Sequence, residues 1–454
     1  MQIFIIIPDE SCDLHKTPTS WEVVMDQQTL LLSLESFLDI NPLKNFKILF
    51  DNLDASHLDI RPSSGRKPFS RQSLLRALIF KNLKGLPTLT ELVNELKDNP
   101  SAAIRCGFNI LKPLPSVERF SSFLKNMSNR ELQKIRIQLI HNLIHLSVIT
   151  GEYLSIDSCA IPAHVKENNL KTNVKSRFSK TRIPKGSPDA RLGIMVIYPT
   201  ANKKKILYFW GFRDHVVIDA KEELPIWQIT KPADVHESLM FIPIFKLIQD
   251  EFHFDIKAVM GDGIYDTSAI LKYIIKDLKA KPRISRNPRN TQNQPNLQFS
   301  KTGNPICLAR LEMMNRGSYY DKKQNRRRRK WVCPLHYSKK YAHQFIVCPA
   351  FHPKFFSQKG CYVCIRIDQD IRSEIDYGST SFKTDIKLRS ESERVFSRLF
   401  NVCMQNPPVI GFNAVSNYAI IAHITVLLVA LTAAKNNMKD KIRFIKSFLP
   451  NFNP

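Results

Sequence analysis

The sequence lacks the usual marks of export and of membrane insertion. Its first eight residues contain an apolar run but no basic n-region and no small-residue cleavage site, so we do not expect a signal peptide. The most membrane-like stretch, residues 418–431, is interrupted by His423 and Thr425. It is shorter than the ~18 residues needed to span a bilayer, which predicts a buried core helix and no membrane contact.

Acidic residues are scarce relative to basic ones. The chain has 41 Asp and Glu against 67 Lys and Arg, which gives a formal net charge of +26. A surplus of this size favours a polyanionic partner, because each neutralised phosphate releases counterions. A basic protein with no nucleic-acid partner is the alternative that charge alone leaves open. The odd number of cysteines, nine, without an export signal indicates a reducing compartment and predicts the cytoplasm.

The first structured region, residues 60–150, is predicted to be an all-α module. Ser70 is the expected N-cap of an apolar helical stripe, and Thr88 with Glu91 has the spacing of a capping box. Ser128 and Glu131 repeat that spacing before the next stripe. Short connections between such helices are typical of a DNA-binding bundle, although they describe any small helical domain equally well. No role is predicted for residues 1–59.

From residue 151 the pattern changes to alternating strands and helices. Strands are predicted at 152–157, 192–198, 206–212, 224–230, 255–261 and 280–286, and helices at 237–250 and 267–278. Three strands followed by alternating helix and strand is the order of a ribonuclease H-like α/β fold, a mixed sheet with flanking helices. The first and fourth strands of that fold are neighbours, which would bring Asp157 and Asp262 together.

Residues 287–385 interrupt this order and are predicted to be an insertion before the last catalytic helix. The segment is longer than an ordinary connection, so we expect it to have structure of its own. Its start, 287–305, is rich in Asn, Gln and Pro and is predicted to be a loop. The catalytic fold should resume over 386–435, and 436–454 is a basic tail. A basic run follows the loop and consists of Arg326, Arg327, Arg328, Arg329 and Lys330. It is either a solvated charge cluster or a surface that contacts the DNA backbone.

Cysteines in the insertion raise the question of a structural metal. One Cys-x2-Cys pair is present, with His336 and His352 nearby, and soft ligands clustered in this way are typical of zinc sites. Buried free thiols are the plainer interpretation. The predicted zinc ligands are Cys333, Cys348, Cys361 and Cys364.

Three carboxylates form the predicted catalytic set. Asp157 and Asp262 end short apolar runs, and Glu393 opens an amphipathic helical pattern. Gly261 and Gly263 allow a tight turn that exposes the Asp262 carboxylate. Each acid alone has a plainer interpretation, as a strand-end cap or a solvated helix face. Together they could hold a pair of Mg²⁺ ions roughly 4 Å apart on a phosphodiester.

These segments resemble the DDE transposases of bacterial insertion sequences. Residues 65–124 are similar to the helical N-terminal domain of that family. The Ile156-Asp-Ser segment, the Asp262-Gly-Ile-Tyr-Asp266 box and the Glu393-Arg-Val-Phe-Ser-Arg-Leu399 box match its catalytic blocks in order. Gly211-Phe-Arg-Asp-His215 resembles the strand that the family places between the first two acids. The resemblance covers roughly residues 60–435.

The resemblance implies an enzyme that cuts and joins DNA at the terminal inverted repeats of an insertion sequence. Asp157, Asp262 and Glu393 would be both the catalytic residues and the ligands of two Mg²⁺ or Mn²⁺ ions. The implied partners are double-stranded DNA, as element end and as target, and a second copy of the chain in a homodimer. The implied location is the cytoplasm, associated with the nucleoid. A nuclease on the same fold and a catalytically inactive DNA-binding derivative remain as alternatives.

The sequence departs from the family around the last acid. Many relatives carry Tyr-x2-Arg-x3-Glu-x6-Lys, in which Arg389 and Glu393 fit, but Ile386 and Phe400 replace the Tyr and the Lys. Arg389 would hold a DNA phosphate or orient the Glu393 carboxylate.

Four further residues are predicted to support the site or contact DNA. Arg394 or Arg398 would supply the charge that the missing Lys leaves out. Tyr265 and Asp266 follow the second acid, and Asp266 is predicted to be the N-cap of the next helix.

Overall fold

The protein folds as two compact units, Met1–Ile256 with Leu388–Pro454, and Lys257–Lys387. The structure, a computed structural model, describes residues 3–5, 30–32, 43–59, 68–200, 203–287, 298, 300, 304–341, 346–366, 371–377 and 379–445. Most of the predicted loop 287–305, residues 60–67 of the predicted all-α module and the end of the basic tail lie outside the described residues. In the N-terminal segment, β1 (Ile3–Ile5) pairs with β2 (Leu30–Leu32) in antiparallel fashion.

Helices follow one another from Lys44 to His145. Those from Arg71 onward lie in the predicted all-α module 60–150, whereas the first lies in the segment for which nothing was predicted. The bounds are α1 Lys44–Asp51, α2 Arg71–Lys84, α3 Leu89–Asp98, α4 Pro100–Arg105, α5 Val117–Asn126 and α6 Asn129–His145.

Two of the three predicted N-caps are confirmed in this region. The Ser70 side chain accepts the Ser73 backbone N–H at 3.1 Å, and the reciprocal hydrogen bonds between Thr88 and Glu91 form a capping box. The helix after Ser128 also begins as predicted, but Ser128 makes no capping hydrogen bond. Glu131 instead lies 2.9 Å from the Lys134 ammonium nitrogen.

An antiparallel sheet follows in the same unit. It contains β3 (Tyr153–Pro162), β4 (Arg191–Thr200), β5 (Lys203–Asp219) and β6 (Leu224–Pro232). The long strand β5 pairs with the other three strands. Gly211 of β5 is required here, because a Cβ at this position would lie 2.3 Å from the Ile161 carbonyl oxygen. The predicted hairpin is confirmed, and its turn residues 201–202 lie outside the described part of the chain.

The remaining helices of this unit are α7 (Glu237–Phe252), α12 (Glu391–Asn401) and α13 (Phe412–Lys435). Helix α13 is long and apolar enough to cross a membrane by length and composition, yet its most apolar window is entirely buried inside the protein. It packs against α2, α5, α6, α12 and β6. The prediction of a buried core helix is confirmed, although the helix is longer than the predicted stretch.

Buried polar contacts fix α13 to both the helices and the sheet. The Lys81 ammonium on α2 donates to the Tyr418 hydroxyl at 2.8 Å. On the sheet side, His423 Nε2 lies 3.0 Å from the Asp214 carboxylate, and both side chains are fully buried. The same helix therefore holds the all-α module and the sheet together.

The second unit begins with a parallel pair of strands. Strand β7 (Ala258–Gly261) leads through a 3₁₀ turn (Gly263–Tyr265), α8 (Ser268–Lys272) and a π-helical turn (Tyr273–Asp277) to β8 (Lys281–Ile284). The predicted strand, helix and strand are confirmed with shorter bounds. With the antiparallel strands of the first unit they confirm the α/β class and the predicted element order.

The rest of the second unit is the predicted insertion, which does have structure of its own. Antiparallel strands β9 (Met314–Asp321), β10 (Arg326–Val332) and β11 (Tyr362–Arg366) form a sheet with β10 in the centre. Short helices accompany it: α9 Pro334–Tyr337, α10 Lys354–Ser357, a 3₁₀ turn Ile371–Glu374, α11 Thr380–Asp385 and a 3₁₀ turn Ile386–Ser390.

Ion pairs explain why the second unit starts ahead of residue 287. The buried Arg283 guanidinium on β8 lies 2.6 Å from Asp376 and 2.7 Å from Asp385. These contacts join β8 to the end of the insertion, so β7 and β8 belong to the same compact unit as the small sheet.

Candidate active site

Asp157 lies on β3, on the strand face that also carries Ser155. Residues two apart on a strand point to the same side, and Leu154 and Ile156 occupy the opposite side, where both are buried. The Asp157 side chain is half-buried, and its Oδ1 accepts the Ser158 backbone N–H at 2.8 Å.

Glu393 lies on α12, which contacts β3 directly. The Ser392 hydroxyl oxygen is 2.9 Å from the Ser155 hydroxyl oxygen, and both residues are buried. The helix therefore rests on the face of β3 that carries Asp157. The next side chain, Glu393, is 68% exposed and lies 3.9 Å from the Arg389 guanidinium. Two of the three predicted carboxylates thus belong to elements that touch.

Asp262 belongs to the second compact unit, where it follows the fully buried strand β7. Its Oδ1 accepts the Ile264 backbone N–H at 2.8 Å and so caps the 3₁₀ turn. The meeting of Asp262 with Asp157 and Glu393 stays a prediction. In the part of the chain that the structure describes, no group of three or more His, Cys, Asp or Glu side chains is already arranged to hold a metal ion.

The two residues predicted to support Asp262 are buried. Asp266 accepts hydrogen bonds from Arg372 Nε at 2.7 Å and from the Asn287 backbone N–H at 2.9 Å. The predicted N-cap role of Asp266 is wrong, because Thr267 caps α8 by accepting the Ile270 N–H. The Tyr265 side chain is fully buried, and its supporting role stays a prediction.

Arg394 and Arg398 on α12 both bind an acid that the sequence did not point to. The largely buried Arg398 pairs with Glu223, and burial lowers the pKa of its guanidinium. The exposed Arg394 lies 3.3 Å from Glu223 and 2.7 Å from Glu391. Their predicted role toward DNA stays a prediction, since both charges already have partners within the protein. The spacing of the two arginines on α12 was the available signal that they could share a partner. Nothing in the sequence indicated that this partner is Glu223.

The basic run lies on the central strand β10 of the small sheet. Arg327 and Arg329 are exposed, opposite Tyr320 and Ser318 of β9. The Arg328 guanidinium lies 3.4 Å from the Asp321 carboxylate. Arg326 is opposite Asp321 in the pairing of β9 with β10. The Lys330 ammonium stands 5.1 Å from the centre of the Tyr362 ring. A strand that is basic and flanked by aromatic rings suits a nucleic-acid backbone, and that contact stays a prediction.

Comparison with known families shows to which family the chain belongs. The family model for a transposase domain (DUF772) matches residues 21–126, and the model for a transposase DDE domain matches residues 178–428, more than half of the chain. The chain belongs to the DDE transposase family. The matched DDE range contains Asp262 and Glu393, whereas Asp157 lies before it.

Individual proteins add little to this assignment. No curated protein matches the chain. Among solved structures, a cryo-EM structure of a piggyBac transposase synaptic complex with hairpin DNA is similar over 90% of this chain and 80% of that chain, at 12% identity and a TM-score of 0.34. A likeness at that score does not establish a shared fold.

The cysteines of this DDE family member group differently from the predicted set. Cys333 and Cys348 are buried in one small core, and Cys361 packs against it. Cys364 lies on β11 opposite Lys330 and hydrogen-bonds Tyr319. The unpredicted Cys307 hydrogen-bonds Cys361.

A buried histidine beside the first acid was also missed as a site feature. His215 on β5 faces Ser158, the neighbour of Asp157, across the β3–β5 ladder. Neither ring nitrogen has a hydrogen-bond partner among the described residues, and burial lowers the pKa of His215 to about 4. The Gly211 to His215 segment was the available signal, since it resembled a strand of the family's catalytic domain.

Proposed function

We propose that this chain cuts and joins DNA strands at the terminal inverted repeats of an insertion sequence, with Asp157, Asp262 and Glu393 as its catalytic carboxylates. The observation that carries the proposal is the Ser155–Ser392 hydrogen bond of 2.9 Å. It fixes the helix of the last acid on the strand of the first, and the family membership gives those acids their chemistry.

The donor set fits hard divalent cations. Carboxylate oxygens are the ligands that Mg²⁺ prefers, and Mn²⁺ accepts them as well. The three carboxylates would hold two such ions, and bound ions of this kind activate a nucleophilic oxygen and stabilise the charge that develops on the phosphate. Arg389, 3.9 Å from Glu393, would keep the Glu393 carboxylate turned toward the ions.

The remaining charges suit the substrate. A net charge of +26 and the exposed Arg327 and Arg329 would bind the phosphate backbone of element ends and target DNA. The chain would act as a homodimer, because two ends must be held together, and would work in the cytoplasm at the nucleoid.

A strand-transfer assay tests the proposal. Purified protein, Mg²⁺ and a plasmid carrying the element's flanking ends should give cleaved and joined products. Asp157→Asn, Asp262→Asn and Glu393→Gln should each lower the rate by more than about 100-fold, since removing even a supporting group of a metal site costs up to that factor. Glu391→Gln, on the same helix, is the matched control and should retain activity. Activity that survives Asp262→Asn would overturn the three-carboxylate mechanism.

The same assay separates the alternative functions. The family Lys position is occupied by Phe400, whose ring stacks on Phe396 at 6.3 Å, and the family Tyr position is Ile386. Loss of those two side chains favours, as a second candidate, a derivative that binds element ends without reacting. Binding without cleavage would support that candidate, and cleavage without joining would indicate a nuclease.

A further inference from the structure

The small sheet of the insertion has very little apolar core of its own. Strand β9 is exposed over nearly its whole length. The buried cluster beside the sheet consists of Cys333, Leu335, Cys348 and Phe355. A module with so few buried side chains usually needs a cross-link or a metal to be stable. All the described cysteines are free thiols, so no disulfide supplies that link in the described part of the chain.

Three thiols in this region contact one another. The Cys361 thiol is hydrogen-bonded to both Cys307 and Cys333. The Cys307 backbone N–H donates to the Leu311 carbonyl at 2.9 Å, which fixes the position of this cysteine. Cysteine binds metals as the thiolate, and a cluster of thiols can supply several such ligands to one ion.

Two of the cysteines begin turns of the same kind. The Arg310 N–H donates to the Cys307 carbonyl at 2.9 Å, and the Phe351 N–H donates to the Cys348 carbonyl at 2.8 Å. Arg310 and Phe351 both have left-handed backbones, with φ of 59° and 47°. Each turn reverses the chain directly after its cysteine, so that Cys307 and Cys348 are held in the same local backbone geometry.

Glycine allows the chain to approach the thiols closely. A Cβ on Gly360 would lie 2.5 Å from the Cys333 Cβ and 2.8 Å from its Sγ. A side chain here would displace the Cys333 side chain, and the backbone φ of 89° at this position also favours glycine.

We propose that Cys307, Cys333, Cys348 and Cys361 bind one structural Zn²⁺ through four thiolates. Thiolates are the ligands of structural zinc, and four of them complete its tetrahedral shell. The thiols now lie in hydrogen-bonded contact rather than in the arrangement of a metal site. On binding, each thiol that is still protonated releases its proton to solvent, and the metal replaces the shared hydrogen bonds. The ligand set excludes Cys364, which faces Lys330 on the sheet.

Metal analysis of the full-length protein tests this site. Protein purified with a thiol reductant and Zn²⁺, then freed of loose metal, should contain one zinc per chain. Cys307→Ser, Cys348→Ser and Cys361→Ser should lose it, whereas Cys364→Ser and the distant Cys403→Ser should keep it. A wild-type protein without zinc would overturn the proposal. Loss on Cys364→Ser with retention on Cys307→Ser would overturn this ligand set.

A second measurement does not depend on whether the variants fold. Wild-type protein is alkylated with and without Zn²⁺, and the modified cysteines are identified by mass spectrometry. We expect Zn²⁺ to protect the four proposed ligands and to leave the reactivity of Cys364 unchanged. Equal labelling with and without the metal, or a Cys307–Cys361 disulfide in the freshly purified protein, would contradict the proposal. Neither readout depends on DNA cleavage.

Discussion

The region around α13 and the small sheet of the insertion are stabilised in different ways. Helix α13 is buried along nearly its whole length, with helices on one side and strand β6 on another. The sheet of β9, β10 and β11 exposes most of its side chains and rests on a few buried residues, two of them cysteines. Apolar burial, with a few buried polar contacts, stabilises the first region, whereas the second depends on ion pairs and, as we propose, on a metal.

The strongest test of the α13 region removes the buried contact between Asp214 and His423. Asp214→Ala leaves two buried groups, the His423 ring and the Thr230 hydroxyl, without their acceptor. Each unsatisfied buried donor costs about 1–3 kcal/mol, so we expect a loss of about 3–5 kcal/mol in the free energy of unfolding. Urea denaturation measures it. Asp250→Ala, an exposed carboxylate on α7, is the control and should change stability little. Equal losses for both variants would show that the Asp214–His423 contact contributes nothing special.

A cavity placed in each region sharpens the comparison. Leu428→Ala on α13 removes a fully buried side chain and should lower the free energy of unfolding by about 2–5 kcal/mol. Leu335→Ala in the insertion should cost less while zinc is bound and more after chelation, because the metal then no longer holds the cluster. Amide hydrogen exchange shows which residues lose protection in each variant. If a chelator changes neither the stability nor the hydrogen exchange of the insertion, the proposed difference between the two regions is wrong.

Low pH should weaken the first unit through His215. Its pKa is lowered to about 4 in the folded protein, against about 6.5 in the unfolded chain. Between these values the unfolded chain binds the proton and the folded protein does not. Stability is therefore complete above about pH 6.5 and falls by about 2–4 kcal/mol as the pH is lowered to 4. Denaturation at both pH values should show a smaller fall for His215→Leu, whereas the exposed His145→Gln should behave like wild type.

The smallest expected effect concerns local hydrogen bonds at helix ends. Thr88→Ala removes a capping box and should cost about 1 kcal/mol. Ser128→Ala should cost less than about 0.5 kcal/mol, because Ser128 makes no capping hydrogen bond. Thermal denaturation of the two variants side by side measures the difference. A larger loss for Ser128→Ala would mean that its hydroxyl caps α6 in solution.

Local patterns in the sequence predicted the elements well, because capping and strand signals act within a few residues. Ser70, Thr88 and the hairpin over 192–212 were confirmed on that ground. Contacts made by distant segments had no such signal. Nothing near Arg398 indicates that it binds Glu223, and nothing near Asp266 indicates Arg372.

The cysteine set shows the same limit. Spacing favoured Cys364 because it forms a Cys-x2-Cys pair with Cys361. The β10–β11 register places Cys364 opposite Lys330, and the fold brings in Cys307 from outside the predicted cluster. The order of the three carboxylates was visible because a family pattern preserves order. Their meeting in space depends on tertiary structure, which spacing along the chain does not report.

The position of α13 has a consequence for how the protein is made. The helix spans Phe412–Lys435, while three of the helices that pack on it, α2, α5 and α6, lie before residue 146. During synthesis those earlier helices leave the ribosome long before their packing partner exists, and their apolar sides stay uncovered until almost the whole chain has been translated. A message cut short ahead of Phe412 is therefore expected to yield an aggregation-prone fragment and not a DNA-binding domain that could compete with the intact protein.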